Sequence, residues 1–340
     1  MTTGPRRATV KDVAALAGVS PKTVSNVMNE TVFVRPDTRE RVLAAVEELG
    51  FVPNLSARSL RNGRTGVIAL ALPDLATAFS ADVVHRVVQV AHERGMVVQI
   101  EETAAEPKRE YDLVSRAREH QIDGLILNPI RLKDSIVVHD DQLPPVVLIG
   151  EVEQHKVDRV LIDSRQGAYE VTKHLLERGA RRIAALGGET GATDATATSI
   201  QRLEGYRRAL AEYGIGADPR LEVYVEEWSM VGGAEAAAEL LTRNTGFDAI
   251  VAFTDSIAFG ALHVLQEHGI SVPGDVMMTG FDDVEHARFM NPSLTTVALD
   301  RRAFAEAAVD LLLTRIADRT SPPRAVAIPH ELVVRGSSTR

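Results

Sequence analysis

The chain has 340 residues, 45% apolar and 25% charged, with no cysteine. This length suits two or three cores rather than one, and the missing thiols exclude disulfides and thiolate metal sites. Net charge is −9, yet residues 1–64 carry ten Lys/Arg against six Asp/Glu, so a head of +4 precedes a remainder of −13. Phosphate contact needs a local basic patch and not a basic total, so the asymmetry is compatible with nucleic acid. It is equally compatible with an evenly solvated small domain. No apolar run approaches the roughly 18 residues of a membrane span. "MTTGPRRATVKDVAALAG" has no continuous apolar stretch behind its arginines, which makes a poor secretion signal. A cytoplasmic protein with no membrane contact is expected.

Residues 8–50 read as three short helices. Thr9 is placed to cap the first, with Asp12 three residues on. Val13, Leu16 and Ala17 form its apolar face, and Gly18 supplies the positive φ of a sharp turn. Ser20 starts the second helix with Pro21 at its first position. Val24, Val27 and Met28 point inward there, leaving Ser20, Lys22, Thr23, Ser25, Asn26 and Asn29 outward. The third runs from about Pro36 to Leu49 on Val42, Val46 and Leu49, and Gly50 stops it. After Pro53, Asn54 is placed to cap a helix of about nine residues, which is too short to be stable alone.

From Gly66 the texture becomes apolar strands alternating with helical stretches. The strands include "VIALAL" (67–72), "MVVQI" (96–100), "GLILN" (124–128), "VVLIG" (146–150), "RIAALGG" (182–188), "AIVAF" (249–253) and "VMMTGF" (276–281). Continuous Val/Ile/Leu strands joined by helices such as 81–94 predict covered parallel sheets. Their number predicts two α/β lobes, changing near Ile162–Gln166, with "MNPSLTTVALD" (290–300) as a return crossing and "AVAIPHELVV" (325–334) as a final one.

The stretch "ATVKDVAALAGVSPKTVSNVMNETVFVRPDTRERVLAAVEELGFVPNLSARSLRNGRTGVIALALPD" closely resembles the N-terminus of the lactose-repressor (LacI/GalR) family of bacterial transcription regulators. "DGLILN", "HLLERGARRIAALGG", "RLEGYRRAL", "FTDSIAFGALHVLQEHGISVPGDVMMTGFDD" and "PSLTTV" follow in the family's order. The resemblance implies a three-helix helix-turn-helix DNA-binding domain over 1–53 and a hinge helix over 54–65. A two-lobed, periplasmic-binding-protein-like (type I) α/β effector domain with parallel sheets then spans 66–340. Its first lobe is expected over about 66–163 and 293–324, and its second over about 164–292 and 325–340.

The resemblance assigns base-edge contact chiefly to Pro21, Lys22 and Asn26, with Ser20, Thr23, Ser25 and Asn29 alongside and Thr9 and Val10 near the DNA backbone. Lys22 suits guanine and Asn26 adenine; the alternative is that both are only solvated. Leu60 matches the family's intercalating leucine and Ala57 its small neighbour, flanked by Asn54, Arg58 and Arg61; the alternative for Leu60 is a docking contact within the protein. In the body the resemblance selects Phe79, Ser80, Thr198, Arg202, Trp228, Thr254, Asp255 and Asp282 for a small effector of the sugar, sugar phosphate or nucleobase class. Arg202 and Asp282 have an inter-lobe ion pair as their alternative, Asp255 a helix cap, and Trp228 a packing anchor. A homodimer on a pseudo-palindromic operator is implied, with helices 81–94 and 256–268 near the interface and no extra tetramer helix.

Two positions depart from the family. Arg35 stands before Pro36 where a capping Ser is common. Gly150-Glu151 stands where many members carry Asp at the end of the strand, leaving the effector unreadable by analogy. No enzyme is expected and no cofactor or metal: "LGGETGAT" lacks G-x-G-x-x-G spacing, and neither H-E-x-x-H nor G-x-S-x-G occurs.

Overall fold

The computed structural model describes residues 8–29, 32–51, 64–104, 106–119, 121–129, 135–139, 142–152, 154–188 and 196–339. The chain divides into two compact units, residues 1–65 and 66–340.

The first unit contains α1 (Val10–Ala17), α2 (Pro21–Asn29) and α3 (Pro36–Glu48). Thr9 caps α1: the Asp12 N–H donates to its hydroxyl at 3.3 Å, while the Asp12 carboxylate accepts from the Thr9 N–H at 2.8 Å. Two end amides are thereby satisfied reciprocally. Gly18 leaves the helix at φ +65°. The Thr23 N–H donates to Ser20 Oγ at 3.1 Å and fixes the start of α2. Arg35 gives α3 no side-chain cap, and Asp37 supplies the negative charge of its first turn. Val13, Ala14, Ala17, Val24, Val27, Val42, Ala45 and Phe51 make the core. Leu16, expected inward, is 47% exposed. Residues 13, 14 and 17 span one arc of α1, and Leu16 falls outside it because α1 packs against both α2 and α3. The hinge helix expected over 54–65, with Asn54, Ala57, Arg58, Leu60 and Arg61, lies outside the described residues apart from residues 64–65.

The second unit begins with β1 (Val67–Leu72), α4 (Ala78–Glu93), β2 (Val97–Glu102), α5 (Pro107–Arg118), β3 (Gly124–Leu127), α6 (Ile136–His139), β4 (Val146–Ile149) and β5 (Asp158–Ile162). There follow α7 (Ser164–Glu177), β6 (Ile183–Leu186), α8 (Ala197–Glu212), β7 (Glu222–Val223), α9 (Met230–Thr242), β8 (Ala249–Ala252), α10 (Asp255–Glu267) and β9 (Met277–Asp282). The chain then adds β10 (Thr295–Leu299), α11 (Arg301–Ala317), β11 (Ala325–Ile328) and β12 (His330–Val333).

The strands form two sheets, β2-β1-β3-β4-β5-β11 and β7-β6-β8-β9-β10-β12, parallel throughout except for β12 against β10. Both orders reverse beside their first strand, which opens a crevice at the carboxyl ends of the strands. Isolated charges hold the sheet margins. Buried Asp158 on β5 accepts from Arg315 Nε of α11 at 2.9 Å and from the Arg324 N–H before β11 at 2.8 Å.

The chain changes lobes at Asp163, Asp300 and Pro329. The last two crossings fall later than the expected 292/293 and 324/325. β10 (295–299) pairs with β9 and so belongs to the second lobe, while β11 (325–328) pairs with β5 in the first. At the first two crossings the aspartate itself caps the next helix, accepting from the N–H groups of Gln166 and Ala303, each at 2.9 Å.

Gly205 of α8 lets that helix lie directly on α7; a Cβ there would come within 2.1 Å of the Arg165 carbonyl oxygen. Gly205→Ala is therefore expected to destabilise the folded chain by about 1–3 kcal/mol, the range for overpacking. Chemical denaturation followed by circular dichroism measures this, and an unchanged midpoint would contradict the close approach.

Candidate functional site

In the first unit, α2 turns Val24 and Val27 inward, which leaves Pro21 and Lys22 exposed and Thr23, Ser25 and Asn26 half-buried. The Ser20 and Thr23 hydroxyls share a hydrogen bond of 2.9 Å, so the start of the helix is a rigid polar edge. Asn29 closes α2. Thr9 spends its hydroxyl on the cap of α1, and Val10 packs half-buried against the small core.

In the second unit a cleft of about 550 Å³ opens between the lobes, at the carboxyl ends of both sheets. Phe79, Ser80, Thr198, Arg202, Trp228, Thr254 and Asp282 all line it. Asp255 does not. That carboxylate is fully buried and accepts from Thr296 Oγ1 at 2.6 Å and from the Val284 N–H at 2.9 Å. Gly280 makes room for it, since a Cβ there would lie 2.2 Å from Asp255 Oδ1. Asp255 is thus a brace between α10 and the segments around β9 and β10, and the cap of α10 is Thr254, which accepts from the Ile257 N–H at 3.2 Å.

Arg202, in the first half of α8, lies at the centre of the cleft wall and is only 4% exposed. Its Nε donates to Ser164 Oγ at 3.2 Å, and its Nη1 donates to the Phe253 carbonyl oxygen. Nη2 faces Asp282 at 3.7 Å and Glu151 at 3.9 Å. The guanidinium also sits 3.5 Å from the Phe281 ring centroid. Burial lowers its pKa and the Asp282, Glu151 and Asp255 carboxylates oppose that shift.

Glu151 was not among the expected cleft residues, although its displacement by one position was visible in the sequence. It follows β4 in the first lobe, yet its carboxylate accepts from Ser164 Oγ at 2.7 Å and Thr198 Oγ1 at 2.6 Å, both of the second lobe. Gln201 Nε2 donates to its carbonyl oxygen at 3.0 Å. Gly150 explains the displacement: it takes φ +103°, and a Cβ there would meet Asn128 Oδ1 at 2.8 Å. A side chain at 150 would be strained, and the next residue delivers the carboxylate.

The apolar side of the cleft is aromatic. Trp228 donates its Nε1–H to the Val225 carbonyl at 3.1 Å and meets Phe253 edge-on, with centroids 6.3 Å apart. Phe79 packs against the cores of both lobes. The Ser80 hydroxyl accepts from Thr77 Oγ1 at 2.9 Å within the cap of α4.

Burial raises the Asp282 pKa to about 7, against the opposing pull of Arg202 and Arg301. A carboxyl whose folded pKa exceeds its unfolded value binds its proton more tightly when folded, so its ionisation lowers stability as pH rises through the folded pKa. The Asp282 contribution therefore disfavours the fold above about pH 7 and fades toward pH 4. Melting temperatures of the parent should fall between about pH 4 and 7 relative to those of Asp282→Asn, and run parallel above. Curves parallel throughout would contradict the shift.

Residues 9–54 match the lacI family of bacterial regulatory proteins, and residues 172–338 match a periplasmic binding protein-like domain. The HTH-type transcriptional repressor PurR of Vibrio campbellii is 32% identical over 340 residues, covering 97% of this chain and 98% of PurR. Among solved structures, the complex of the transcriptional regulator CelR with cellobiose is 33% identical with a TM-score of 0.71, over 97% of this chain and all of that one. The lac repressor dimer bound to operator and the anti-inducer ONPF is 27% identical with a TM-score of 0.84, over 98% of this chain and all of the other. A helix-turn-helix head and a two-lobed body, matched together along nearly the whole length, make this chain a member of the lacI family of bacterial transcription regulators.

Proposed function

We propose that the chain is a cytoplasmic repressor that binds a pseudo-palindromic operator as a homodimer and is controlled by a small molecule in the inter-lobe cleft. Lac repressor, a dimer on its operator, and CelR, with cellobiose, are relatives of the same length and fold and support the two halves of this reading. The observation that carries it is the junction of Arg202 and Asp282 of the second lobe with Glu151 of the first. A ligand touching that junction acts on both lobes at once, and a ligand can shift a conformational equilibrium only through such differential contact.

On the DNA side, Lys22 and Asn26 are the base readers of α2, with Pro21 in apolar contact and Ser20, Thr23, Ser25 and Asn29 along the groove edge. Thr9 and Val10 approach the backbone. Asn54, Ala57, Arg58, Leu60 and Arg61 enter the minor groove, with Leu60 as the wedge. Phe79, Ser80, Thr198, Arg202, Trp228, Thr254 and Asp282 form the effector site, joined by Glu151. In the dimer, the exposed Met230 and Val231 of α9 and Phe289 supply apolar contact in the second lobe. Within 256–268 few residues are exposed, since α10 packs against α9 and β9.

An operator selected from a random duplex pool and measured by fluorescence anisotropy at several salt concentrations tests the DNA half. Lys22→Ala should cost about 1–3 kcal/mol of specific affinity and relax the preference at one base position. A chain selecting no duplex sequence would end the proposal. Arg202→Ala should bind the operator with parental affinity while losing its response to effector. A variant that still responds normally would show the cleft assignment to be wrong.

A further inference from the structure

The inter-lobe cleft has an unbalanced chemistry. Among the described residues its lining carries five carboxylates, Asp74, Glu151, Glu226, Glu227 and Asp282, against one cation, Arg202. That cation is already engaged: Ser164 Oγ and the Phe253 carbonyl accept from its Nε and Nη1, the Asp282 and Glu151 carboxylates face its Nη2 at 3.7 and 3.9 Å, and the Phe281 ring covers a face. Helix N-termini are the other common anion sites, because their first amides are unpaired. Three of them begin at the cleft, and each has a threonine cap of its own: Thr77 on α4, Thr196 on α8 and Thr254 on α10. On the last, the buried Asp255 carboxyl occupies the first turn.

Acceptors, by contrast, are in surplus. The Asp282 carboxylate is buried at 4% exposure and lines the cleft, with Arg202 Nη2 at 3.7 Å and no hydrogen-bonded donor among the described residues. Glu226 and Glu227 stand exposed at the rim beside Trp228. A buried acceptor without a donor calls for a ligand that brings one, and the aromatic side offers a face to an apolar ring surface.

We propose that the cleft is an anion filter: it takes a hydroxyl-rich ring ligand, neutral or amino-substituted, and rejects phosphate esters and carboxylates through Glu151, Glu226 and Glu227. This rests on the cleft being the effector site, and it narrows that site to one charge class. Glu226 and Glu227 act at the rim by repulsion, which salt screens. Glu151 acts inside, where it already occupies the hydroxyl and guanidinium donors that an anion would need.

The test uses the full chain and a panel of mono- and disaccharides, each neutral sugar paired with its 2-amino analogue, its phosphate ester and its uronic acid. Binding is measured by thermal shift and calorimetry, and operator release separately by anisotropy. Neutral or amino sugars should bind, and the phosphate ester of any binder should be weaker by about ten-fold or more at low salt. The E226Q/E227Q variant should raise the ester's affinity several-fold relative to that of the neutral sugar. An ester or uronic acid that binds as tightly as its parent overturns the filter, as does a panel in which nothing binds, or a variant that leaves the ester-to-parent ratio unchanged. The two readings fail separately. Charge-selective binding without any effect on the operator refutes the regulatory role and leaves the filter, whereas a phosphate ester that binds preferentially and releases the operator does the reverse.

Discussion

A single guanidinium buried between two lobes constrains the rest of the body. Arg202 is out of water, so its charge must be met by carboxylates, and Glu151 and Asp282 come from different lobes. Removing one partner of such a pair leaves an uncompensated buried charge, a loss of about 3–5 kcal/mol. A second polar tie runs nearby: Arg301, at the start of α11, lies 2.9 Å from Asp82 of α4 and donates to the Asp282 carbonyl. The lobes thus meet at the cleft through charges and hydroxyls, with Phe79 packed against both cores. The polar groups regain water when a cleft opens, which apolar surfaces do not, so a polar junction suits domains that move.

The fold delivers these groups by repetition. Each lobe has the same strand order, and each places its switch point at the shared opening. Asn128 follows β3, Gly150 and Glu151 follow β4, Thr254 follows β8, and Asp282 ends β9. Because the chain crosses three times, neither lobe is complete without a segment that has passed through the other. A change in lobe angle is then absorbed at Asp163, Asp300 and Pro329, two of which are helix caps with fixed hydrogen bonds.

Much of this was legible in the residues, for reasons that differ from element to element. β1, β3, β4 and β8 are buried on both faces and read as unbroken apolar runs. β5 was not among the recognised strands, because "DRVLI" opens on a carboxylate whose partners lie more than 150 residues away: Asp158 is satisfied by Arg315 and Arg324. The later two crossings were misplaced by a few residues, since "TTVAL" and "AVAI" are locally equivalent strands and only their pairing partners tell the lobes apart. Leu16 shows the limit of helical periodicity, which gives a face but not its centre. Asp255 and Glu151 exchanged expectations for a similar reason. Whether a carboxylate lines a cleft or braces a loop depends on Gly280 and Gly150, and on the space their missing side chains leave.

The division of charge between the two parts has a consequence for specificity. A body of −13 repels a duplex, so DNA affinity must come from the head of +4. A head so weakly basic gains little from non-specific attraction. Among the described residues, the core beneath α2 holds eight buried apolar residues, three of them alanine. It is small enough that its reciprocal Thr9–Asp12 cap and its Ser20 cap carry a real share of the order, because a core this size has little stability to spare. The same acidity reappears inside the cleft, where it would favour a ligand carrying donors.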